Sequence, residues 1–192
     1  PPRKAPTPGQ HTDEVLRELG LDDARIATDL GIIVGHGATP ENFNSMAEAT
    51  VMLMLMCLYN PVATREVLLG SRARPRPTPG DMWARMIMHK TVGLVGFGRI
   101  ARGVAARLQG WEARILAADP YVDAGSVPGY VTLAPLQRVL SESDVVAILV
   151  SVTPETRKLI GVRELALMKP DAFLVNTARG DALDEAALAR AL

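Results

Sequence analysis

The run Thr91-Val-Gly-Leu-Val-Gly-Phe-Gly-Arg-Ile-Ala101 constrains this chain more than any other feature. Val92 to Val95 form a continuous apolar stretch without polar alternation, as expected of a strand covered on both faces of a parallel sheet. It leads directly into Gly96-x-Gly98-x-x-Ala101. Beyond lies a segment in which Ile100, Val104 and Leu108 recur at the spacing of one helix face. A strand that enters a helix through this spacing has a defined turn. Gly96 permits the sharp change of direction, and Gly98 lets backbone approach an anion where a Cβ would obstruct it. Ala101 is small enough for the helix to pack on the strand. The first helical turn then offers free N–H groups and the positive end of its dipole to a phosphate.

The same alternation continues to the last residue. Strands are expected at 91–96, 113–118, 130–133, 144–150 and 172–176, with helices at about 99–109, 134–141, 161–168 and 184–191. This is the pattern of a doubly wound parallel α/β domain over residues 90–192. The second strand ends at Asp119, 21 residues beyond Gly98. A carboxylate at that position accepts hydrogen bonds from adenosine ribose hydroxyls and repels a 2′-phosphate, so the expected cofactor is NAD rather than NADP.

Upstream, residues 1–40 read as an N-terminal extension, with a Pro-rich lead-in at 1–10, a helix at 11–29 and a short strand at 32–34. Residues 41–89 read as a helical lead-in and connector. A helix is expected over Met46–Tyr59, capped by Asn44 or Ser45 with Glu48 completing a capping box, and stalling near Pro61. It is apolar nearly all round and is therefore expected to be buried. Met52, Met54 and Met56 read as packing residues and Cys57 as a buried, inert thiol. Residues 70–81 form a Pro/Arg-rich connector, read as a solvated loop.

Composition adds exclusions. Lys plus Arg balance Asp plus Glu at 21 each, so there is no general attraction to nucleic acid or anionic membrane. The most apolar stretch, 49–59, is too short to span a bilayer, and no signal peptide is apparent. One cysteine excludes an intrachain disulfide and fits a reducing compartment, so a cytoplasmic location is expected. No metal site is expected.

From residue 90 onward the chain resembles the NAD-binding Rossmann domain of the D-isomer-specific 2-hydroxyacid dehydrogenases. The stretches that carry the resemblance are Thr91–Ile100, Ala118-Asp-Pro120, Thr153-Pro-Glu-Thr-Arg-Lys-Leu-Ile160 and Met168-Lys-Pro-Asp-Ala-Phe-Leu-Val-Asn-Thr-Ala-Arg-Gly180. With the helix around Asn44–Thr50 and Trp83, the likeness covers about residues 31–192. It implies an NAD-dependent oxidoreductase acting on a 2-hydroxy or 2-keto acid, with dimerisation in the region of the long helix. It places the cofactor on Gly96, Gly98, Arg99, Ile100, Asp119, Thr153 and Thr177, and the substrate on Arg179. A guanidinium can hold a carboxylate and its adjacent carbonyl through its fork of donors. Asn176 and Thr177 sit where the last strand meets the crevice, either as cofactor-loop residues or as turn formers.

Three departures from the family stand out. Where its members carry His-x-Pro-Leu before Thr153, this chain reads Leu149-Val150-Ser151-Val152. The family's acid/base histidine and its glutamate fall beyond Leu192, and most of its other domain lies outside the N-terminus. These 192 residues are therefore expected to be inactive alone. His11, His36 and His89 read as loop or surface residues. Separately, residues 9–26 resemble the C-terminal tail of family III CoA-transferases, without that family's catalytic aspartate. The alternative readings are a non-catalytic NAD-binding module or remnant, or a nucleotide sensor in a CoA-transferase fusion.

Overall fold

The computed structural model describes residues 39–71 and 86–192. The chain divides into two compact units, Pro1–Asn42 and Phe43–Leu192. The second holds the elements that matter here. The expected helix at 11–29, the strand at 32–34 and the 70–81 connector lie wholly or mainly outside the described residues.

Five parallel strands form one sheet: β1 (Thr91–Val95), β2 (Arg114–Ala118), β3 (Val131–Leu133), β4 (Val145–Ile148) and β5 (Phe173–Asn176). Their order is β3-β2-β1-β4-β5. Each falls within one residue of its expected position except β4, which ends two residues early, at Ile148 rather than Val150. Chain order reverses direction beside β1, because β2 and β3 lie on one side and β4 and β5 on the other. In such sheets ligands bind outside the carboxyl ends of the strands at this switch point.

The sheet sorts its side chains by parity, as strand geometry requires. Val92, Leu94, Ile115, Ala117, Val145 and Ala147 join one apolar cluster with helices α1 (Pro40–Tyr59) and α3 (Arg99–Leu108). Val95, Leu116, Ala118, Val146 and Ile148 join a second with α4 (Leu136–Glu142). Leu165 of α5 (Val162–Leu167) and Leu188 of α6 (Glu185–Ala191) pack against the second cluster. Burying one such Val or Leu side chain contributes about 1.5–3 kcal/mol. Gly93 is the exception that lets α4 sit close. A Cβ there would stand 2.3 Å from Ser143 Oγ and 2.8 Å from Val139 Cγ1.

Helix α1 corrects two expectations. It begins at Pro40, so Asn44, Ser45 and Glu48 lie inside it and none caps it. The Thr39 hydroxyl accepts from the Asn42 N–H at 3.3 Å, and Pro40 takes the first helical position, where its missing N–H costs nothing. Glu48 pairs instead with Arg107 at 2.8 Å. Nor is the helix buried all round. Ala47, Thr50, Val51, Met54 and Leu58 are covered, while Met52, Met56 and Tyr59 are 54%, 41% and 45% exposed. The inner face packs on α3, and the apolar outer face has no such cover among the described residues. Cys57 is half-buried, and burial pushes its thiol up. The expected stall near Pro61 is a break at Asn60, which adopts a left-handed conformation. Its side chain accepts from Ala63 N–H, and a further helix, α2 (Pro61–Leu68), follows.

At the N-terminal edge of the sheet, Asp144 joins three segments. It accepts from the Thr91 N–H at 2.8 Å and from Lys169 Nζ at 2.9 Å. His89 stands at this same edge, exposed, with Nε2 3.8 Å from Glu112 Oε2.

Candidate functional site

The opposite edge collects the residues singled out in the sequence. Gly96 leaves β1, Asp119 leaves β2, the Leu149–Leu159 loop leaves β4 and Thr177 leaves β5, all at carboxyl ends. Gly96 has φ of 90°, a conformation that side-chain-bearing residues rarely adopt. A Cβ on it would also come within 3.1 Å of the Leu149 carbonyl group. Gly98 differs. A Cβ there would meet nothing within 4 Å, so the space beside it is open. Gly98 is also the N-cap of α3 and supplies no capping side chain. An open cradle at a helix N-terminus lined by glycine fits a pyrophosphate.

The Asp119 carboxylate bridges the turn. Oδ2 accepts from the Phe97 N–H at 2.8 Å and Oδ1 from the Tyr121 N–H at 2.9 Å. Each oxygen keeps acceptor capacity for a further donor. Phe97 itself is buried, and the guanidinium of Arg102 stacks on its ring at 4.8 Å while donating to Ser126 O at 2.8 Å. Arg102 thus ties the glycine loop to the turn after β2. The sequence reading passed over it, although it stands on the first turn of a helix that opens an anion cradle. Arg99 is exposed and lies over the Phe43 ring at 5.1 Å. The Ile100 side chain packs against the first core cluster, so its backbone N–H is what it offers at the helix start.

The loops after β4 and β5 are joined into one wall. Lys158 N–H donates to Asp181 O at 2.7 Å, Ile160 N–H to Ala182 O at 3.1 Å and Asp184 N–H to Ile160 O at 2.9 Å. Ion pairs Arg157–Asp181 and Lys158–Asp184 lie over this seam. Thr153 sits in the first loop, its N–H donating to Thr156 Oγ1 at 2.7 Å. Asn176 closes the second: Nδ2 donates to Arg179 O at 2.9 Å and Oδ1 accepts from Ala178 N–H at 3.0 Å. Asn176 thereby shapes the turn after β5. Thr177 is held from outside by Thr50 of α1, with 2.8 Å between the hydroxyl oxygens. Arg179 is exposed, and its guanidinium donates to the neighbouring Ala178 O at 2.8 Å.

Leu149, at the position the family fills with histidine, packs against the first core cluster. His89 lies at the far edge of the sheet and takes no part in the site. His11 and His36 lie outside the described residues. Among the described residues no cluster of His, Cys, Asp or Glu is placed to hold a metal ion. Among them, too, no single helix is long and apolar enough to cross a membrane.

A parallel 3-2-1-4-5 sheet with a glycine cradle after its first strand and a carboxylate after its second defines a dinucleotide-binding domain. The comparisons with known proteins narrow this. Residues 51–192 match the family model described as D-isomer specific 2-hydroxyacid dehydrogenase, NAD binding domain. This chain belongs to that family and carries its NAD-binding domain. It is 34% identical over 179 residues to the D-3-phosphoglycerate dehydrogenase of Methanocaldococcus jannaschii, a match covering 91% of this chain and 33% of that protein. It is 45% identical over 108 residues to the glyoxylate reductase of Thermococcus gammatolerans, covering 54% and 31%. The structure of NAD-dependent formate dehydrogenase from Staphylococcus aureus in complex with NAD superposes with a TM-score of 0.68 at 31% identity, covering 80% of this chain and 45% of that one. The chain spans about a third of the length of the curated relatives it matches. A match over 91% of the chain necessarily runs into the N-terminal segment, and nothing supports the CoA-transferase resemblance read there.

Proposed function

We propose that this chain serves an enzyme that moves hydride between NAD(H) and C2 of a 2-hydroxy or 2-keto acid. The observation that carries the reading is the open cradle at Gly98, bounded by Asp119 on the same sheet edge as Arg179. When bound, NAD supplies or accepts the hydride. The residues of this chain bind and orient. Gly96 and Gly98 shape the turn, and the backbone N–H groups of Arg99 and Ile100 face the pyrophosphate from the helix start. Asp119 accepts from the ribose hydroxyls and repels a 2′-phosphate. Thr153 and Thr177, on the loops that leave β4 and β5, are assigned to the cofactor. Arg179, released from Ala178 O, clamps the carboxylate of the acid. The names of the phosphoglycerate- and glyoxylate-handling relatives support a 2-hydroxy or 2-keto acid as the substrate class.

The partner is a second copy of the same chain, seated on the outer face of α1. Met52, Met56, Tyr59 and Trp111 line a groove there together with Arg107 and Glu48. Cys57 as the sole cysteine supports a reducing, cytoplasmic setting.

The test is ternary binding. Oxamate, an unreducible 2-keto acid analogue, should bind by calorimetry only when NADH is present, and Arg179→Gln should abolish its binding while sparing NADH. Oxamate binding unchanged in Arg179→Gln would refute the assignment.

A further inference from the structure

Thr50 is a polar residue, fully buried, on the inner face of α1. Its hydroxyl has two partners: Met46 O at 2.8 Å on the same helix and Thr177 Oγ1 at 2.8 Å. A carbonyl oxygen cannot donate, and a hydroxyl carries one proton. The Thr50 proton therefore belongs to Met46 O, and the contact between the hydroxyls runs one way: Thr177 donates and Thr50 accepts. With its single proton committed, Thr177 Oγ1 can meet any further partner only as an acceptor. A free threonine would rotate and serve in either sense. This one, half-buried and two residues before Arg179, cannot.

We propose that Thr50 is a positioning residue that acts through Thr177. It holds the Thr177 hydroxyl as an acceptor in the crevice and so selects a ligand group that donates there: the primary amide on a nicotinamide ring. The inference rests on the proposed function, because a ring that exchanges hydride with an acid held at Arg179 lies beside Thr177.

The experiment is isothermal titration with NAD and with its 3-acetylpyridine analogue, which keeps the carbonyl oxygen but lacks the amide N–H donors. The wild-type chain should favour NAD by about threefold to tenfold, the worth of one ordinary hydrogen bond. Thr50→Val keeps the shape and removes the hydroxyl. Thr177 can then turn its proton toward the acetyl oxygen, and the preference should fall to near parity. Thr50→Ser should retain the wild-type preference. A purely structural role would weaken both ligands together and leave their ratio unmoved, and that result overturns the proposal. Should Thr50→Val fail to fold, Thr177→Val removes the acceptor itself and should also give parity; a retained preference there overturns it equally. Gly98→Val serves as the control. If it binds both dinucleotides as wild type does, or if wild type binds neither, the proposed function fails and this inference with it. A control that loses binding beside an unmoved ratio in Thr50→Val sinks this inference alone.

Discussion

The carboxylate of Asp119 accepts the backbone N–H of Phe97 at 2.8 Å, so the acidic residue after β2 and the glycine turn after β1 are one device. In the proposed function, the residue assigned to the ribose thus also fixes the loop assigned to the phosphates. Asp119→Ala removes a charge that repels a 2′-phosphate and, at the same time, an anchor of the phosphate loop. NADH affinity should fall about tenfold or more, the scale of a hydrogen bond to a charged group. The preference for NADH over NADPH should shrink. Calorimetric titration of both cofactors checks this, and an unchanged ratio would contradict it.

The two glycines of the turn should respond differently. At Gly98 an added side chain meets open space, so Gly98→Val should fold normally and lose NADH binding. At Gly96 the backbone is left-handed and a Cβ crowds Leu149. Gly96→Val should therefore lower the melting temperature before any binding question arises, with strain of about 1–3 kcal/mol. Thermal melts beside NADH fluorescence titrations separate the two; a Gly98→Val that bound NADH normally would remove the cradle from the site.

Under α4, Gly93→Ala should destabilise the fold by about 1–3 kcal/mol, the usual cost of overpacking. The new methyl must displace Ser143, whose hydroxyl donates to Val139 O at 2.6 Å in a fully buried position. Denaturant unfolding measures this, and a neutral substitution would mean that α4 shifts freely.

Asp144 should make stability depend on acid. Burial raises its pKa, but the Thr91 N–H and Lys169 outweigh burial and hold it below the usual aspartate value. A carboxyl depressed in the folded state stabilises above its unfolded pKa and loses that contribution as pH falls through the folded one. Wild type should therefore melt higher than Asp144→Asn at neutral pH, and the gap should close below about pH 4. A gap of constant size across that range would show that the charge is irrelevant.

The outer face of α1 should join two copies. Met56→Glu places a charge among Met52, Tyr59 and Trp111 and should convert a dimer into a monomer by light scattering. Wild type already monomeric at micromolar concentration would dismiss the interface.

Much of this domain is written locally. The strands, the turn at Gly96–Ala101 and the helices after them depend on short-range periodicity and on what glycine permits, so they are legible within a dozen residues. Asp119 is legible too, because a strand of known start and length places its last residue. The start of α1 differs from its sequence expectation for a local reason: Asn44, Ser45 and Glu48 satisfy a capping pattern, but Thr39 and Pro40 offer an earlier start, and the helix continues unbroken through the later one. Its inner and outer faces were not separable by composition, since Met54 and Met56 are equally apolar. Only the packing of α3 decides that one is covered and the other is not. The pairings that govern the site are non-local. Phe97 meets Asp119 across two strands, the loops after β4 and β5 join along Lys158–Asp184, and Thr50 meets Thr177 across 127 residues. Residue types alone fix none of these partners. They arise only in the tertiary structure, where the open sheet brings loop ends to one edge and α1 lays Thr50 against one of them, and a hydrogen bond of about 2.8 Å exists only once these pieces are in place.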